Sequence, residues 1–255
     1  MAAIGVIPAR FASTRFPGKV VANATGKPLV QHVVDRARQA RHLRDVIVAA
    51  DDQRIVEALR PFQTRCVMTS PKHPTGTDRL AELAASLTDS IIVNIQGDEP
   101  EIDPETIDAL VVRLETSASD MATAATPFAP DADPADPNLV KVVVSLDGKA
   151  LYFSRSVVPF LRDGNAAQRP SYYLHQGIYA YRREFLLEVA SWRPGPLETS
   201  EKLEQLRVLE HGRSIDVIFT RRAVHGIDTP QQYQEFVNRY KEVASCQLRV
   251  ASKCP

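Results

Sequence analysis

Short apolar segments alternate with longer amphipathic segments through the first half of the chain. Five short segments rich in β-branched residues predict β-strands, and because they are apolar throughout we expect them to be buried on both faces of a sheet. They cover residues 3–7, 46–50, 66–68, 91–95 and 121–126. Segments 28–41, 77–87 and 104–114 repeat apolar residues at the spacing of amphipathic helices. This alternation predicts a Rossmann-like α/β fold, with a mainly parallel sheet and helices on both faces.

The second half of the chain predicts a small antiparallel unit after the parallel core. A polar, Pro-rich connection at residues 127–137 leads to apolar segments 141–145 and 150–153, which flank Asp147-Gly148, a dipeptide that favours a tight β-hairpin. Residues 176–181 and 215–219 predict two further strands, and residues 200–210 and 230–243 predict two helices. We expect the tail, residues 246–255, to fray.

Composition excludes several classes of protein. The 255 residues are 44% hydrophobic and 24% charged, as in ordinary globular proteins. Lysine and arginine total 31, as do aspartate and glutamate, so the net charge is zero and a dedicated nucleic-acid binder is not expected. The 3 cysteines lack CxxC or Cys/His ligand spacing, which argues against disulfide and zinc scaffolds and favours a reducing compartment. With no signal peptide and no long apolar stretch in the sequence, we expect a cytoplasmic protein without a membrane partner.

A basic loop, IPARFASTRFPGK at residues 7–19, follows the first predicted strand. Ligands of open α/β sheets bind at the carboxyl ends of the strands, so this loop is well placed to contact one. It brings Arg10, Arg15, Lys19 and two hydroxyl groups to that edge, which is the chemistry of a polyphosphate site. The loop matches neither the P-loop nor the GxGxxG fingerprint. It therefore predicts phosphate binding, with a solvated basic surface loop as the alternative.

Carboxylates occur at three comparable positions. Gln96 and Asp98 follow the strand predicted at residues 91–95, where an aspartate could hold Mg²⁺ together with substrate phosphates or could merely cap a turn. Glu99 could serve as the ligand instead. Asp228 precedes the last predicted helix, and the sequence alone favours a helix N-cap over a second metal ligand. For Asp51-Asp52, after the second strand, we also predict a cap.

Two further groups of polar residues could line a ligand site, although neither is diagnostic alone. A single histidine such as His175 is more often structural than catalytic, and the alternating Tyr179 and Tyr181 could simply pack in a strand. Glu204 and Gln205, on the helix predicted at residues 200–210, could reach a hydroxyl-rich ligand or water. Since the HExxH and GxSxG motifs are absent, the sequence supports neither a zinc hydrolase nor a serine nucleophile. Phosphate and metal chemistry are what the sequence supports.

Seven segments together resemble one enzyme family. In chain order they are IPARFASTRFPGK, SPKHPTGTDRLAE, VNIQGDEP, KALYFSR, HQGIYAY, LEQLRVL and GIDTP. As a set, spanning Ile4 to Tyr240, they are similar to segments of the 3-deoxy-manno-octulosonate (Kdo) cytidylyltransferases. The first loop is shared with sialic acid cytidylyltransferases, whereas the later motifs indicate the Kdo branch.

The resemblance implies an activity and an architecture. The activity is transfer of CMP from CTP to the anomeric hydroxyl of Kdo, with release of pyrophosphate, and it would serve lipopolysaccharide synthesis. The resemblance also implies Mg²⁺ as the cofactor and a homodimer. The alternatives are a cytidylyltransferase for another sugar acid, such as a sialic acid, and a non-catalytic nucleotide-binding regulator. The implied fold is a single nucleotide-diphospho-sugar transferase domain over residues 1–245. Within it, residues 1–126 would bind the nucleotide, residues 138–220 would bind the sugar and form the dimer, and residues 221–245 would return to the core.

The resemblance also implies roles for individual residues. The nucleotide and its phosphates would be held by Pro8, Ala9, Arg10, Ser13, Arg15 and Lys19. Asp98 and Asp228 would be the Mg²⁺ ligands, and with Lys19 and Arg15 they form the implied catalytic set. The sugar-acid pocket would be lined by Arg79, Gln96, Arg155, His175, Tyr179, Glu204 and Gln205.

Overall fold

The computed structural model describes residues 2–73, 75–162, 172–224 and 226–251. Its strands are β1 (Ala3–Ala9), β2 (Leu43–Ala50), β3 (Cys66–Met68), β4 (Ile91–Asn94), β5 (Met121–Pro127), β6 (Lys141–Val144), β7 (Ala150–Ser154), β8 (Tyr173–Arg182) and β9 (Ile215–Phe219). Its α-helices are α1 (Leu29–Ala37), α2 (Gln53–Leu59), α3 (Gly76–Ala84), α4 (Pro104–Thr116), α5 (Arg183–Ser191), α6 (Pro196–Glu201), α7 (Gln205–Glu210) and α8 (Pro230–Ala251). Short 3₁₀ turns cover Lys19–Val21 and Arg60–Phe62.

The described strands form one sheet with the order β3-β2-β1-β4-β8-β5-β9. Strand β1 is parallel to β2 and β4, β2 is parallel to β3, and β5 is parallel to β9. Strand β8 runs antiparallel to both of its neighbours, β4 and β5. Because only β8 on this path is reversed, the predicted mainly parallel α/β sheet is confirmed.

The antiparallel unit lies beside β8. Strands β6 and β7 form the predicted hairpin, and β6 also pairs with β8 at Lys141 and Leu174. Gly148 in the turn has a φ of 82°, a conformation that glycine adopts without steric cost. The predicted hairpin is therefore confirmed, and its strand β6 joins it to β8 of the main sheet.

Helices cover both faces of the sheet. Because successive residues of a strand point to opposite faces, neighbouring strand residues pack against different helices. On one face, Ile7 of β1 and Val48 of β2 pack with apolar residues of α1 and α4. On the other face, Val6 and Ile47 pack with residues of α3, α5 and α7. Both faces are therefore closed to water, and the strand ends are left for the ligand site. No helix of the described chain is long and apolar enough to cross a membrane.

Helix α8 carries the chain back onto the first half of the molecule. Its Tyr233, Phe236 and Val237 pack against Leu29 at the start of α1 and against Ile227. The hydroxyl of Tyr233 also accepts a hydrogen bond from the backbone N–H of Ala24 at 2.8 Å. This packing fixes the loop before α8, which carries Asp228.

Three predictions of local structure were wrong or incomplete. The helix predicted over residues 200–210 is interrupted: Lys202 has a φ of 55°, so α6 ends at Glu201 and α7 begins at Gln205. Helices α2 and α5 were not predicted, because they span only 7 and 9 residues, which is short for a helical repeat of apolar positions to stand out. The tail predicted to fray from residue 246 is helical as far as Ala251 within the described chain.

Candidate active site

The basic loop after β1 is closed on itself by backbone hydrogen bonds. The N–H of Gly18 donates to the carbonyl of Phe11 at 3.2 Å, and Gly18 adopts a φ of 68°, in the left-handed region. A side chain at this position would be strained, so glycine is required for the turn. The turn delivers Lys19 to the interior of the loop, where the residue is buried.

Lys19 joins two carboxylates from distant parts of the chain. Its ammonium lies 2.6 Å from Asp98 Oδ2 and 3.2 Å from Asp228 Oδ1. The guanidinium of Arg15 lies 2.9 Å from the same Asp228 oxygen. The four residues implied to be catalytic therefore form one ion-pair cluster. Lys19 is the most buried of them, with a side chain 10% exposed, whereas that of Arg15 is 66% exposed.

The contacts around Asp228 exclude the N-cap role that the sequence alone favoured. The hydroxyl of Thr229 accepts a hydrogen bond from the N–H of Gln232 at 3.2 Å, and the amide oxygen of Gln232 accepts from the N–H of Thr229 at 3.0 Å. This reciprocal pair, followed by Pro230 at the helix start, is a capping box. Since Thr229 caps α8, the N-cap role favoured for Asp228 was wrong, and its carboxylate is directed to Lys19 and Arg15.

Asp98 follows β4 in a tightly packed turn. A Cβ on Gly97 would lie 3.0 Å from the backbone oxygen of Pro8, so the end of β1 and the turn after β4 approach too closely for a larger residue. The N–H of Ile227 donates to the carbonyl of Asp98 at 2.9 Å, which ties the loop before α8 to the same point. Behind Asp98, burial and the neighbouring carboxylate raise the pKa of Glu99 to about 8.

The cluster lies beside a cavity of about 340 Å³, here called the basic cavity. It is lined by Pro8, Arg10, Ala12, Ser13, Thr14, Arg15, Lys19, Val20, Gly76, Gln96, Gly97 and Asp98. The loop thus contributes three cations and two hydroxyl groups to one concave surface, as the sequence predicted. Ala9 is the member of the predicted nucleotide set that does not line it, because its side chain is fully buried in the core.

A second cavity of about 400 Å³, here called the polar cavity, adjoins the first. It is lined by Pro8, Gly76, Thr77, Asn94, Gln96, Asn138, Val140, His175, Gly177, Tyr179, Tyr181, Lys202, Leu203, Glu204 and Gln205. Pro8, Gly76 and Gln96 line both cavities. A ligand in the basic cavity and a ligand in the polar cavity can therefore meet at these residues.

His175 is held as a neutral ring in the wall of the polar cavity. Its Nε2 lies 3.0 Å from the hydroxyl of Thr123, and that hydroxyl donates its single proton to a backbone carbonyl, with Ile178 O at 2.8 Å. The Nε2 of His175 must then be the donor, which leaves Nδ1 as a hydrogen-bond acceptor. Burial lowers the pKa of His175 to about 3, so the ring stays neutral at physiological pH.

Two side-chain amides in the polar cavity each have one atom without a hydrogen-bond partner in the described structure. The Oδ1 of Asn94 and the Nε2 of Gln205 are buried, and both are without partners in the described structure. Leaving such groups unpaired is costly, and native proteins do so where a ligand or water supplies the missing partner. Asn94 was not predicted as a site residue, although it lies in the VNIQGDEP segment, and its position at the end of a buried strand could have signalled it.

The remaining polar groups of this cavity are held in place by local contacts. Thr77, at the start of α3, donates a hydrogen bond to the carboxylate of Glu204, while burial raises the pKa of that carboxyl. The amide nitrogen of Gln96 donates to the carbonyl of Gly177 at 2.8 Å. Burial also raises the pKa of Tyr179, so its phenol keeps its proton. Lys202, which the sequence did not indicate, lines the cavity because α6 ends there in a left-handed conformation.

Two residues expected in the sugar pocket lie elsewhere. The side chain of Arg79 is fully buried, and its guanidinium contacts Thr69, Ser70 and Asp51 instead of the polar cavity. Arg155 lies outside the cavity wall, because its side chain is engaged by the carbonyls of Glu201 at 2.7 Å and Pro137 at 2.8 Å.

Of the two adjacent aspartates after β2, one has the predicted role. Asp52 caps α2 by accepting a hydrogen bond from the N–H of Arg54 at 2.9 Å, which confirms the prediction. Asp51 is not a cap, since its carboxylate accepts from the N–H of Phe11 at 2.9 Å.

The carboxylates of the cluster fit a hard divalent cation. Mg²⁺ is usually held by one or two protein carboxylates together with substrate phosphates and water. Asp98 and Asp228 provide two carboxylates close enough to share the ammonium of Lys19, and they adjoin the basic cavity. No group of three or more His, Cys, Asp or Glu side chains with metal-binding geometry occurs among the described residues. A cation held by these two carboxylates would complete its coordination with substrate phosphates or water.

Comparisons with known proteins point to one enzyme family. A family model described as cytidylyltransferase matches residues 4–215. The 3-deoxy-manno-octulosonate cytidylyltransferase of Geobacter sulfurreducens is 49% identical over 245 residues, covering 92% of this chain and 98% of that protein. A protein of the same name from Solibacter usitatus is 47% identical over 239 residues, covering 93% and 94%. A solved structure of a CMP:2-keto-3-deoxy-manno-octonic acid synthetase complexed with CTP superposes with a TM-score of 0.90 at 37% identity, covering 95% of this chain and 99% of that one. The chain belongs to the cytidylyltransferase family.

Proposed function

We propose that the protein transfers CMP from CTP to the anomeric hydroxyl of Kdo, giving CMP-Kdo and pyrophosphate. The observation that carries this proposal is the junction of the two cavities at Pro8, Gly76 and Gln96. A nucleotide bound along the basic loop and a sugar acid bound in the polar cavity would meet there. Holding the attacking hydroxyl against the α-phosphorus is a large part of catalysis in phosphoryl-type transfers.

The basic cavity supplies the electrostatic part of the reaction. Negative charge grows on the phosphate oxygens and on the departing pyrophosphate, and fixed cations stabilise it most where water is excluded. Lys19 is buried and its orientation is fixed, because two carboxylates hold its ammonium. The more exposed Arg15 and Arg10 would bind the outer phosphates or the rest of the nucleotide.

We propose Mg²⁺ as the cofactor, held by Asp98 and Asp228. Bound there, Mg²⁺ would neutralise phosphate charge and bring the two substrates to one point. Lys19 balances the charge of both carboxylates. The same three side chains therefore suit a site that takes up a cation and a triphosphate together.

The polar cavity suits a hydroxyl-rich acid. His175 Nδ1 and Asn94 Oδ1 are acceptors, and Gln205 Nε2 is a donor without a partner in the described structure. Lys202 is placed to balance the carboxylate of Kdo. Such a mixture of unpaired donors and acceptors discriminates strongly, because an analogue that lacks a matching hydroxyl leaves a buried group unsatisfied.

A homodimer is part of the proposal. Large apolar side chains are exposed on and next to the antiparallel unit, with Leu151 60%, Phe160 83% and Phe219 53% exposed. Exposed apolar side chains grouped in this way are typical of subunit interfaces. Light scattering should give the mass of two chains, and a Leu151→Lys variant should shift the mass toward one. A single-chain mass for the unaltered protein would contradict this part.

We also propose a place and a pathway for the reaction. CTP is made and used in the cytoplasm, and the free thiol of Cys66 suits a reducing compartment. Kdo is a component of lipopolysaccharide, so an activated Kdo would serve its synthesis. Loss of CMP-Kdo from cell extracts after depletion of the protein would test this assignment.

The reaction itself is tested by pyrophosphate release. The assay contains Mg²⁺, CTP and Kdo, with a sialic acid in place of Kdo and UTP in place of CTP as matched comparisons. Release that requires both CTP and Kdo, stops with EDTA and returns with excess Mg²⁺ is the expected result. Release from CTP with the sialic acid but not with Kdo would identify a sialic acid as the acceptor. Binding of CTP without pyrophosphate release from any pair would indicate a nucleotide-binding regulator.

A further inference from the structure

Arg79 is a charged side chain with no exposed surface. Its Nη1 donates to Thr69 Oγ1 at 2.5 Å and to the carbonyl of Ser70 at 3.2 Å, and its Nη2 lies 3.5 Å from Asp51 Oδ2. Burying a guanidinium is costly unless it is paired and hydrogen-bonded, and in the described structure the two Nη atoms of Arg79 have partners whereas its Nε has none. An apolar side chain would fill this space at a lower cost in free energy, so the contacts of Arg79 indicate a role beyond packing.

Asp51 connects Arg79 to the basic loop. Its carboxylate Oδ1 accepts a hydrogen bond from the N–H of Phe11 at 2.9 Å, and its own N–H donates to the carbonyl of Ala9 at 3.3 Å. These two contacts lie on either side of Arg10. Asp51 therefore fixes the backbone from which the Arg10 side chain extends into the basic cavity.

The guanidinium of Arg10 is fixed by the other segment that Arg79 contacts. Arg10 Nη2 donates to the carbonyl of His73 at 3.3 Å. His73 belongs to the short segment that begins at Thr69 and Ser70, the two residues to which Arg79 donates. Glu82 holds the same segment from α3, by accepting from the N–H of Ser70 and contacting His73. One buried arginine thus contacts both supports of Arg10.

We propose that Arg79 and Asp51 are positioning residues for the nucleotide, which act by holding Arg10 in the basic cavity, and that Arg79 does not contact the sugar acid. The inference rests on the proposed function, since it takes the basic cavity to be the CTP site. It also replaces the role in the sugar pocket that the sequence resemblance implied for Arg79.

The test variant is Asp51→Asn. Its side-chain oxygen can still accept from the N–H of Phe11, but its amide hydrogens would face the guanidinium of Arg79. We expect the Kd for CTP, measured by calorimetry with Mg²⁺, and the KM for CTP to rise about tenfold, the effect of losing one hydrogen bond to a charged group. The KM for Kdo should stay within about twofold of the unaltered value.

A double-variant comparison shows whether the effect passes through Arg10. In an Arg10→Ala background, Asp51→Asn should raise the Kd for CTP by less than about twofold, because the residue that it positions is gone. Arg79→Lys should behave like Asp51→Asn, since one ammonium cannot reach all three oxygen partners. If Arg79→Lys raised the KM for Kdo instead, the role in the sugar pocket would be restored and the proposal overturned.

Asp216→Asn is the matched control for a purely structural effect. Asp216 is a buried carboxylate that accepts from Arg113 at 2.7 Å and from Ser119 at 2.7 Å, on a strand remote from the basic loop. The Asp216→Asn variant should have a lower melting temperature and an unchanged Kd for CTP. If Asp51→Asn did only the same, or if its effect were fully additive with Arg10→Ala, the positioning role would be excluded. Because CTP binding is measured without Kdo, an error in the acceptor of the proposed function would appear separately, as binding without turnover.

Discussion

The ammonium of Lys19 lies 2.6 Å from the carboxylate of Asp98, a residue that is 79 positions away in the chain. The pair joins the loop after β1 to the loop after β4, at the edge where parallel strands end. Because β1 and β4 are neighbours in the sheet, their carboxyl ends bring the two loops together. The contact therefore places a buried cation in the wall of the basic cavity.

Lys19→Met should remove most of the activity with little effect on the fold. Methionine is similar in length and has no charge, so the change removes the cation while keeping the packing of the side chain. Removing one preorganised group that stabilises transition-state charge typically lowers kcat by about 10²- to 10³-fold. Steady-state pyrophosphate release from CTP and Kdo measures the effect. Lys27→Met is the matched control, because Lys27 pairs with Asp35 outside both cavities and should keep normal activity. A Lys19 variant within about threefold of the unaltered rate would contradict the electrostatic role.

His175→Ala should weaken sugar binding more than nucleotide binding. The histidine lines the polar cavity and not the basic cavity, and its neutral ring offers an acceptor for a sugar hydroxyl. We expect the KM for Kdo to rise about tenfold, with the KM for CTP changed by less than about twofold. Equal changes in both constants would indicate that the ring is only a packing element between Phe153 and Tyr179.

Asn94→Leu should lower activity while leaving stability equal or higher. The amide oxygen of Asn94 has no hydrogen-bond partner in the described structure. Replacing the amide with an apolar side chain therefore removes an unsatisfied buried group and should not lower the free energy of unfolding. The KM for Kdo should rise, since the ligand loses a hydrogen bond. Urea unfolding and steady-state kinetics measure the two effects.

Gln31→Leu is the control for Asn94→Leu. The amide of Gln31 is equally buried, but it donates to Asp35 at 2.7 Å and accepts from Thr64 at 2.7 Å. The control should lose stability and keep its KM for Kdo. A loss of stability in the Asn94 variant, with an unchanged KM, would show that the amide has only a structural role.

The sequence predicted the parts of the site that depend on local pattern. Lys19 and Asp98 follow strands whose apolar runs are unmistakable, and parallel strands place their carboxyl ends together. Periodicity could not predict the interruption at Lys202, because one left-handed residue leaves the hydrophobic spacing of residues 200–210 intact. Glu204 and Gln205 follow that interruption and line the polar cavity, so one residue's backbone conformation affects the shape of the site.

Contacts between distant segments were also beyond the sequence. Arg79 lies in a motif shared with the Kdo enzymes, and from the motif alone it could contact a ligand or support the fold. Its partners Thr69 and Asp51 are brought near by the packing of α3 against β2 and β3, which no spacing rule describes. Asp228 gave a similar problem, because Asp and Thr are both good N-caps, and only the geometry shows that Thr229 caps α8.

Acid should destabilise the protein through His32, and His32→Phe should reduce this sensitivity. His32 is buried against Phe236 and Tyr240, its Nε2 contacts the hydroxyl of Thr25 at 2.7 Å, and burial with nearby Lys27 lowers its pKa to about 4.

Between pH 6.5 and 4 the unfolded chain binds a proton at this position that the folded chain does not, so the free energy of unfolding falls as the pH falls. Asp35 opposes the shift only in part, since the net change in pKa is downward. Urea unfolding of both proteins at pH 7.5 and pH 5 measures the effect; these values lie about 1 unit above and about 1.5 units below the ordinary histidine pKa. His32→Phe should lose less stability between the two pH values than the unaltered protein, even if it is less stable at both. His175 contributes equally to both proteins, so it cancels from the comparison, and an equal loss in the two proteins would show that His32 is already protonated in the fold.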